Sequence, residues 1–67
     1  MREQLLVERA ILRQKIGMCM MGFMRETDKE EARKLLIVIE DLCSKVERIN
    51  CKLAQDELRT LLNNTDS

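Results

Sequence analysis

The chain has 67 residues and contains two glycines, no proline and one aromatic residue. Apolar residues make up 45% and charged residues 36%, a combination that is typical of long helices and argues against a β-sheet architecture. The 12 basic and 12 acidic residues cancel, so the chain lacks the broad positive potential that most nucleic-acid-binding and membrane-surface proteins use.

A first helix is predicted over about residues 2–24, where apolar residues recur at spacings of three and four. Gly22 is expected to loosen its C-terminal end. Residues 27–30 (TDKE) have the form of a capping box with Thr27 as the N-cap, so a second helix is expected over about residues 28–63. A link this short makes the two helices antiparallel.

The second helix carries the clearest pattern of the chain, a heptad repeat with apolar a and d positions. These positions are Ala32, Leu35, Ile39, Leu42, Val46, Ile49 and Leu53. The repeat predicts an all-α, antiparallel, coiled-coil-like hairpin in which Leu42 lies opposite Ile11. We expect residues 1–67 to form a single domain with a frayed polar tail at 63–67.

Two features predict that the hairpin self-associates into a four-helix bundle. Ile37 and Val38 fall at heptad positions f and g, which a two-stranded coil leaves exposed. If the turn centres near residues 26 and 27, the N-terminal end of the first helix lies beside about residue 49. Residues 52–63 of the second helix then project beyond it by about 18 Å. This overhang carries Leu53, Leu58, Leu61 and Leu62, which need a second chain to cover them.

A methionine-rich segment lies near the end of the first helix. Thioethers and a thiolate are the soft ligands that select Cu(I), and Met20 and Met24 are one turn apart. Met also fills irregular cores and adaptable protein-binding surfaces, and we favour that interpretation. The predicted partner or dimer interface in this segment is therefore Met18, Met20, Met21, Phe23 and Met24. No metal site and no cofactor are expected.

The three cysteines, Cys19, Cys43 and Cys51, have no CxxC spacing, and the chain has no His, so neither a disulfide framework nor a zinc site is expected. Cys43 lies at an e position beside the core and is predicted to be buried, whereas Cys51 is predicted to be exposed.

The sequence predicts a cytoplasmic protein that does not enter a membrane. Its thiols are unpaired, it has no signal-peptide pattern, and its longest uncharged run covers only residues 16–24.

Arg2, Arg9 and Arg13 form a narrow basic stripe, because they lie within about 40° of one another on a helical wheel. Such a stripe can pair with acidic residues of a neighbouring helix or bind phosphates. The hairpin plan and the size of the chain resemble those of Rop, an RNA-binding dimer with four helices, although no sequence motif is shared. We favour pairing with acidic residues, since the chain has no set of aromatic side chains for base stacking.

Catalysis is not expected, because the chain has no His, no Tyr and no Gly-rich phosphate loop. The sequence instead predicts a small protein-binding module that forms a homodimer and binds a second helical protein through apolar helix faces. A regulator, an adaptor and a secretion-type chaperone all fit this description. The alternatives are a Rop-like RNA-binding hairpin dimer and a purely structural oligomerisation element.

Overall fold

The computed structural model describes residues 2–65 and consists of two long α-helices that pack against each other as a hairpin. Helix α1 covers Arg2–Arg25 and helix α2 covers Lys29–Thr65, which confirms the predicted all-α hairpin. Helix α2 continues past its predicted end, so the predicted tail is helical as far as Thr65; Asp66 and Ser67 lie outside the described residues. The hairpin is a rod with extents of 59 × 16 × 14 Å.

Helix α2 begins with a different N-cap from the predicted one. Asp28 Oδ1 accepts a hydrogen bond from the Glu30 backbone N–H at 3.0 Å, and the Asp28 carbonyl accepts from the Ala32 N–H at 2.9 Å. Asp28 is therefore the N-cap, and the prediction of Thr27 is wrong. An ionised Asp caps a helix at least as well as Thr and adds negative charge where the helix dipole is positive. Glu26 Oε1 accepts from the Asp28 N–H at 3.1 Å, which orders the link further.

Gly22 does not loosen the end of α1, because the helix continues through it to Arg25. None of the residues from 2 to 65 has a positive φ angle, so α1 ends without a left-handed glycine cap. The Glu26 backbone N–H instead donates to the Phe23 carbonyl at 3.3 Å. This bond joins residues three apart, as in a 3₁₀ turn, and closes the last turn of α1. It pairs one of the carbonyls that a helix end leaves without an intrahelical donor.

The core lies along the predicted heptad face of α2. Leu42, Ile49 and Leu53 are buried, with 8%, 6% and 7% of their surface exposed, and the other a and d positions are half-buried. Helix α1 contributes a matching half-buried row at spacings of three and four: Leu5, Arg9, Leu12, Ile16 and Cys19. Ile11, the predicted neighbour of Leu42, is exposed, so the α1 face that packs against α2 is rotated by about one residue from the predicted one.

The side-chain contacts between the two helices lie further along α2 than the predicted alignment places them. Arg2 contacts Glu57 and Arg9 contacts Asn50. The prediction instead placed the N-terminal end of α1 beside residue 49. Side chains tilt toward the N-terminus of their own helix, so α1 side chains reach toward the C-terminal end of α2 in an antiparallel pair. The predicted overhang of residues 52–63 is therefore too long, since α1 side chains reach as far as Glu57.

Candidate binding surface

Helix α1 carries apolar side chains around most of its circumference, although only one of its faces packs against α2. None of the described residues of α1 is buried. Its exposed large apolar side chains are Leu6, Val7, Ile11, Met18, Met20, Met21, Phe23 and Met24. Charged side chains lie between them over residues 2–15, whereas residues 16–24 carry no charge. Helix α1 therefore supplies most of the apolar surface that the hairpin leaves uncovered.

The predicted methionine-rich interface is exposed, but its members do not share one face. Successive residues of a helix are 100° apart, which places Met20 and Met24 on one flank of α1 and Met18 and Met21 on the side away from α2. Met24 is 82% exposed, whereas Phe23 is only 38% exposed beside the core. The segment is thus available for binding, and its role as an interface stays a prediction.

The side of α1 that points away from α2 carries a second row at spacings of four and three. We call this row the outward face of α1: Val7, Ile11, Gln14, Met18 and Met21. All five side chains are exposed. Val7, Ile11 and Gln14 are not among the predicted interface residues, although their heptad spacing is visible in the sequence. This spacing is less distinct than the heptad repeat of α2, because α1 has apolar residues at nearly every helical angle.

The predicted interface residues of α2 divide into two groups. Ile37 and Val38 are exposed, in agreement with their f and g positions, and Leu58, Leu61 and Leu62 are about 60% exposed near the end of the helix. Leu53 is different, because it lies in the core of the hairpin itself and needs no second chain to cover it.

The predicted basic stripe on α1 is partly used within the hairpin. Arg2 Nη2 lies 2.9 Å from Glu57 Oε1, and Arg9 Nη1 donates to Asn50 Oδ1 at 2.8 Å. Arg2 thus contacts an acidic residue of α2, whereas the partner of Arg9 is an amide, and the role of the stripe stays a prediction. Two of the three guanidinium groups are therefore already hydrogen-bonded inside the chain and are less available to bind phosphates.

A second basic feature, not predicted, follows one flank of α2. Lys45, Arg48 and Lys52 form one rim of a shallow groove between the helices, and Glu8 of α1 also lines it. The groove has a volume of about 330 Å³, and its apolar lining is Leu12, Ile49 and Ile11, which lies at the edge of the outward face of α1. Lys45 Nζ lies 3.2 Å from Asp41 Oδ2, so part of the positive charge is balanced within α2. The groove combines an apolar floor with a predominantly basic rim.

The cysteines are all free thiols. Cys19 is half-buried in the packed face of α1, and Cys51 is exposed as predicted. Cys43 is exposed, which corrects the prediction that it is buried: two helices leave an e position at the edge of their contact open to solvent. Within residues 2–65, no group of three or more Cys, Asp or Glu side chains is arranged to hold a metal ion.

Comparisons with known proteins found no match: no protein-family model fits the chain, and neither a curated protein nor a solved structure is similar to it. In the part of the chain that the structure describes, neither helix has a stretch that is long and apolar enough to cross a membrane. The surfaces described above are therefore the basis for a functional proposal.

Proposed function

We propose that the chain is a small non-enzymatic binding module that self-associates and binds a helix of another protein through the exposed apolar faces of α1. One observation carries this proposal: α1 has no buried residue within the described chain, yet apolar side chains surround it. Regulators, adaptors and small chaperones are the classes of protein that such a surface suits. We place its action in the cytoplasm, where the three thiols stay reduced.

The core of the hairpin is small. Only Leu42, Ile49 and Leu53 are buried among the described residues, and a chain of this size rarely obtains more than about 3–5 kcal/mol from its own core. Burying one large apolar side chain contributes about 1.5–3 kcal/mol. Covering a few side chains of α1 thus provides as much stabilisation as the whole intramolecular core.

A helix is the partner element that fits this surface best. The faces of α1 are long and straight, and an amphipathic helix docks along such a face through residues at spacings of three and four. The groove beside Lys45, Arg48 and Lys52 favours a partner helix that carries acidic residues on one flank. Glu8 lies in the same groove, so a basic residue is expected on the opposite flank of that partner helix.

RNA binding is the second candidate function, and the basic rim of α2 favours it. The two proposals differ in their dependence on salt, because neutralising phosphates releases counterions and gives a steep loss of affinity with ionic strength. Binding through an apolar helix face is much less sensitive to salt. A steep salt slope for any RNA bound by the purified chain would favour the RNA-binding hairpin instead.

The proposal is tested by purifying the tagged chain from its own cell and measuring the native mass and the co-purifying protein. The test variant changes both Met20 and Met24, on one flank of α1, to Ser. We expect it to lose the partner and keep its helicity, because both side chains are exposed in the hairpin. The control variant is Ser44→Gln, at an exposed position of α2, and it should retain the partner. A wild-type chain that purifies alone as a 7.9 kDa monomer would contradict the proposal.

A further inference from the structure

The outward face of α1 is bounded at its two ends by opposite charges. Glu3 and Arg25 lie at the same helical angle as the row from Val7 to Met21, one beyond each end. Both are exposed, and among residues 2–65 neither makes an ion pair within the hairpin. The β-branched residues Val7 and Ile11 occupy one half of the face and two methionines occupy the other. The two halves are therefore chemically different.

We propose that a second copy of this chain docks on this face, with α1 against α1 in an antiparallel arrangement centred on Gln14. The inference rests on the self-association in the proposed function and specifies the surface that performs it. An antiparallel register centred on residue 14 brings together residues whose numbers add up to 28. Glu3 then meets Arg25 of the second copy, and Val7 meets Met21 of the second copy.

Charge decides between the two possible directions. A parallel pair of α1 helices places Glu3 beside its own copy and Arg25 beside its own copy, so both ends repel. The antiparallel pair replaces these contacts with two symmetry-related opposite-charge pairs. Packing favours the same direction, because the flexible Met21 side chain adapts to the shape of the branched Val7 side chain of the second copy.

The central residue explains why the occupant is an identical chain. A twofold interface requires a surface that is complementary to itself, and the residue on the axis meets its own copy. Gln14 suits that position, because its amide group has both donors and an acceptor and so can hydrogen-bond to an identical group. A lone polar residue in an otherwise apolar helix contact also fixes the register.

Disulfide trapping tests the register. In a background with Cys19, Cys43 and Cys51 replaced by Ala, Gln14→Cys should give a covalent dimer under mild oxidation. Val7→Cys alone should not, because the two copies of residue 7 lie about 21 Å apart in the antiparallel register. Combining Val7→Cys with Met21→Cys should restore cross-linking. Ser44→Cys, on the outer side of α2, is the control and should stay uncross-linked.

Charge exchange provides a second measurement that does not depend on thiols. Arg25→Glu alone should weaken the dimer about tenfold in sedimentation equilibrium, because two attractive pairs become repulsive. Adding Glu3→Arg should restore the wild-type affinity. Circular dichroism checks that each variant remains helical.

The outcomes separate this inference from the function on which it rests. A chain that is monomeric at all concentrations overturns both. A dimer that fails to cross-link through Gln14→Cys, or that cross-links through Val7→Cys alone, overturns the antiparallel α1 interface and leaves self-association intact. Cross-linking at residue 14 together with rescue by the charge exchange supports the inference.

Discussion

Arg2 Nη2 lies 2.9 Å from Glu57 Oε1, so the first residue of α1 contacts a residue near the far end of α2. This pair defines how far the two helices run side by side. Beyond it, α2 continues through residues 58–65, which extend about 12 Å at 1.5 Å per residue. The overhang is thus shorter than the sequence suggests.

The Arg2–Glu57 contact should have a small but measurable coupling energy. A double-mutant cycle with Arg2→Ala and Glu57→Ala is expected to give about 0.2–1 kcal/mol, because both side chains are exposed and water screens the charges. Urea unfolding at low and high salt measures it, and the coupling should shrink at high salt. A cycle between Arg2 and Glu47, ten residues away along α2, is the control and should show no coupling. Equal coupling in both cycles would contradict this alignment of the helices.

Substitution of the buried core residue Leu42 should lower the stability of the hairpin more than the same substitution at an exposed position. Leu42→Ala removes a buried side chain and is expected to lower the free energy of unfolding by about 2–5 kcal/mol. Leu62→Ala is the matched control, since the same substitution at an exposed position should change stability by less than about 0.5 kcal/mol in dilute protein. Urea denaturation monitored by circular dichroism compares them. Coincident unfolding curves would show that the core has been assigned to the wrong face.

The N-cap of α2 can be identified by substitution. Asp28→Ala should destabilise the chain by about 1 kcal/mol, because the Glu30 backbone N–H loses its side-chain acceptor. Thr27→Ala should have little effect, since Thr27 is not the cap in the structure. The midpoints of thermal unfolding of the two variants decide between these residues. A larger decrease in the midpoint for Thr27→Ala would support the capping box predicted from the sequence.

Both glycines of α1 should tolerate alanine. A Cβ atom at Gly17 meets nothing within 4 Å, and one at Gly22 makes an ordinary 3.8 Å contact with Leu35 Cδ1. Because Gly in a helix interior is less favourable than Ala by about 0.5–1 kcal/mol, each substitution should stabilise the isolated hairpin by about that amount. Thermal melts of dilute protein measure the gain. Destabilisation by Gly22→Ala would indicate closer packing against α2 than the structure has.

The two helices, their approximate bounds and the buried face of α2 were predictable from the sequence. The physical reason is that helix formation and heptad spacing are local: every a and d position from Ala32 to Leu53 is apolar. Any partner helix must cover that row, whatever its own sequence. The exposure of Ile37 and Val38 followed from the same register.

The packed face of α1, the alignment of the helices and the N-cap were decided only by the tertiary structure. Helix α1 has apolar side chains at nearly every helical angle, so its sequence does not distinguish the row that contains Leu12 from the outward face that contains Ile11. The alignment depends on the tilt of side chains across the contact, which places Arg2 beside Glu57. Thr27 and Asp28 are both good caps, and the path of the link selects Asp28.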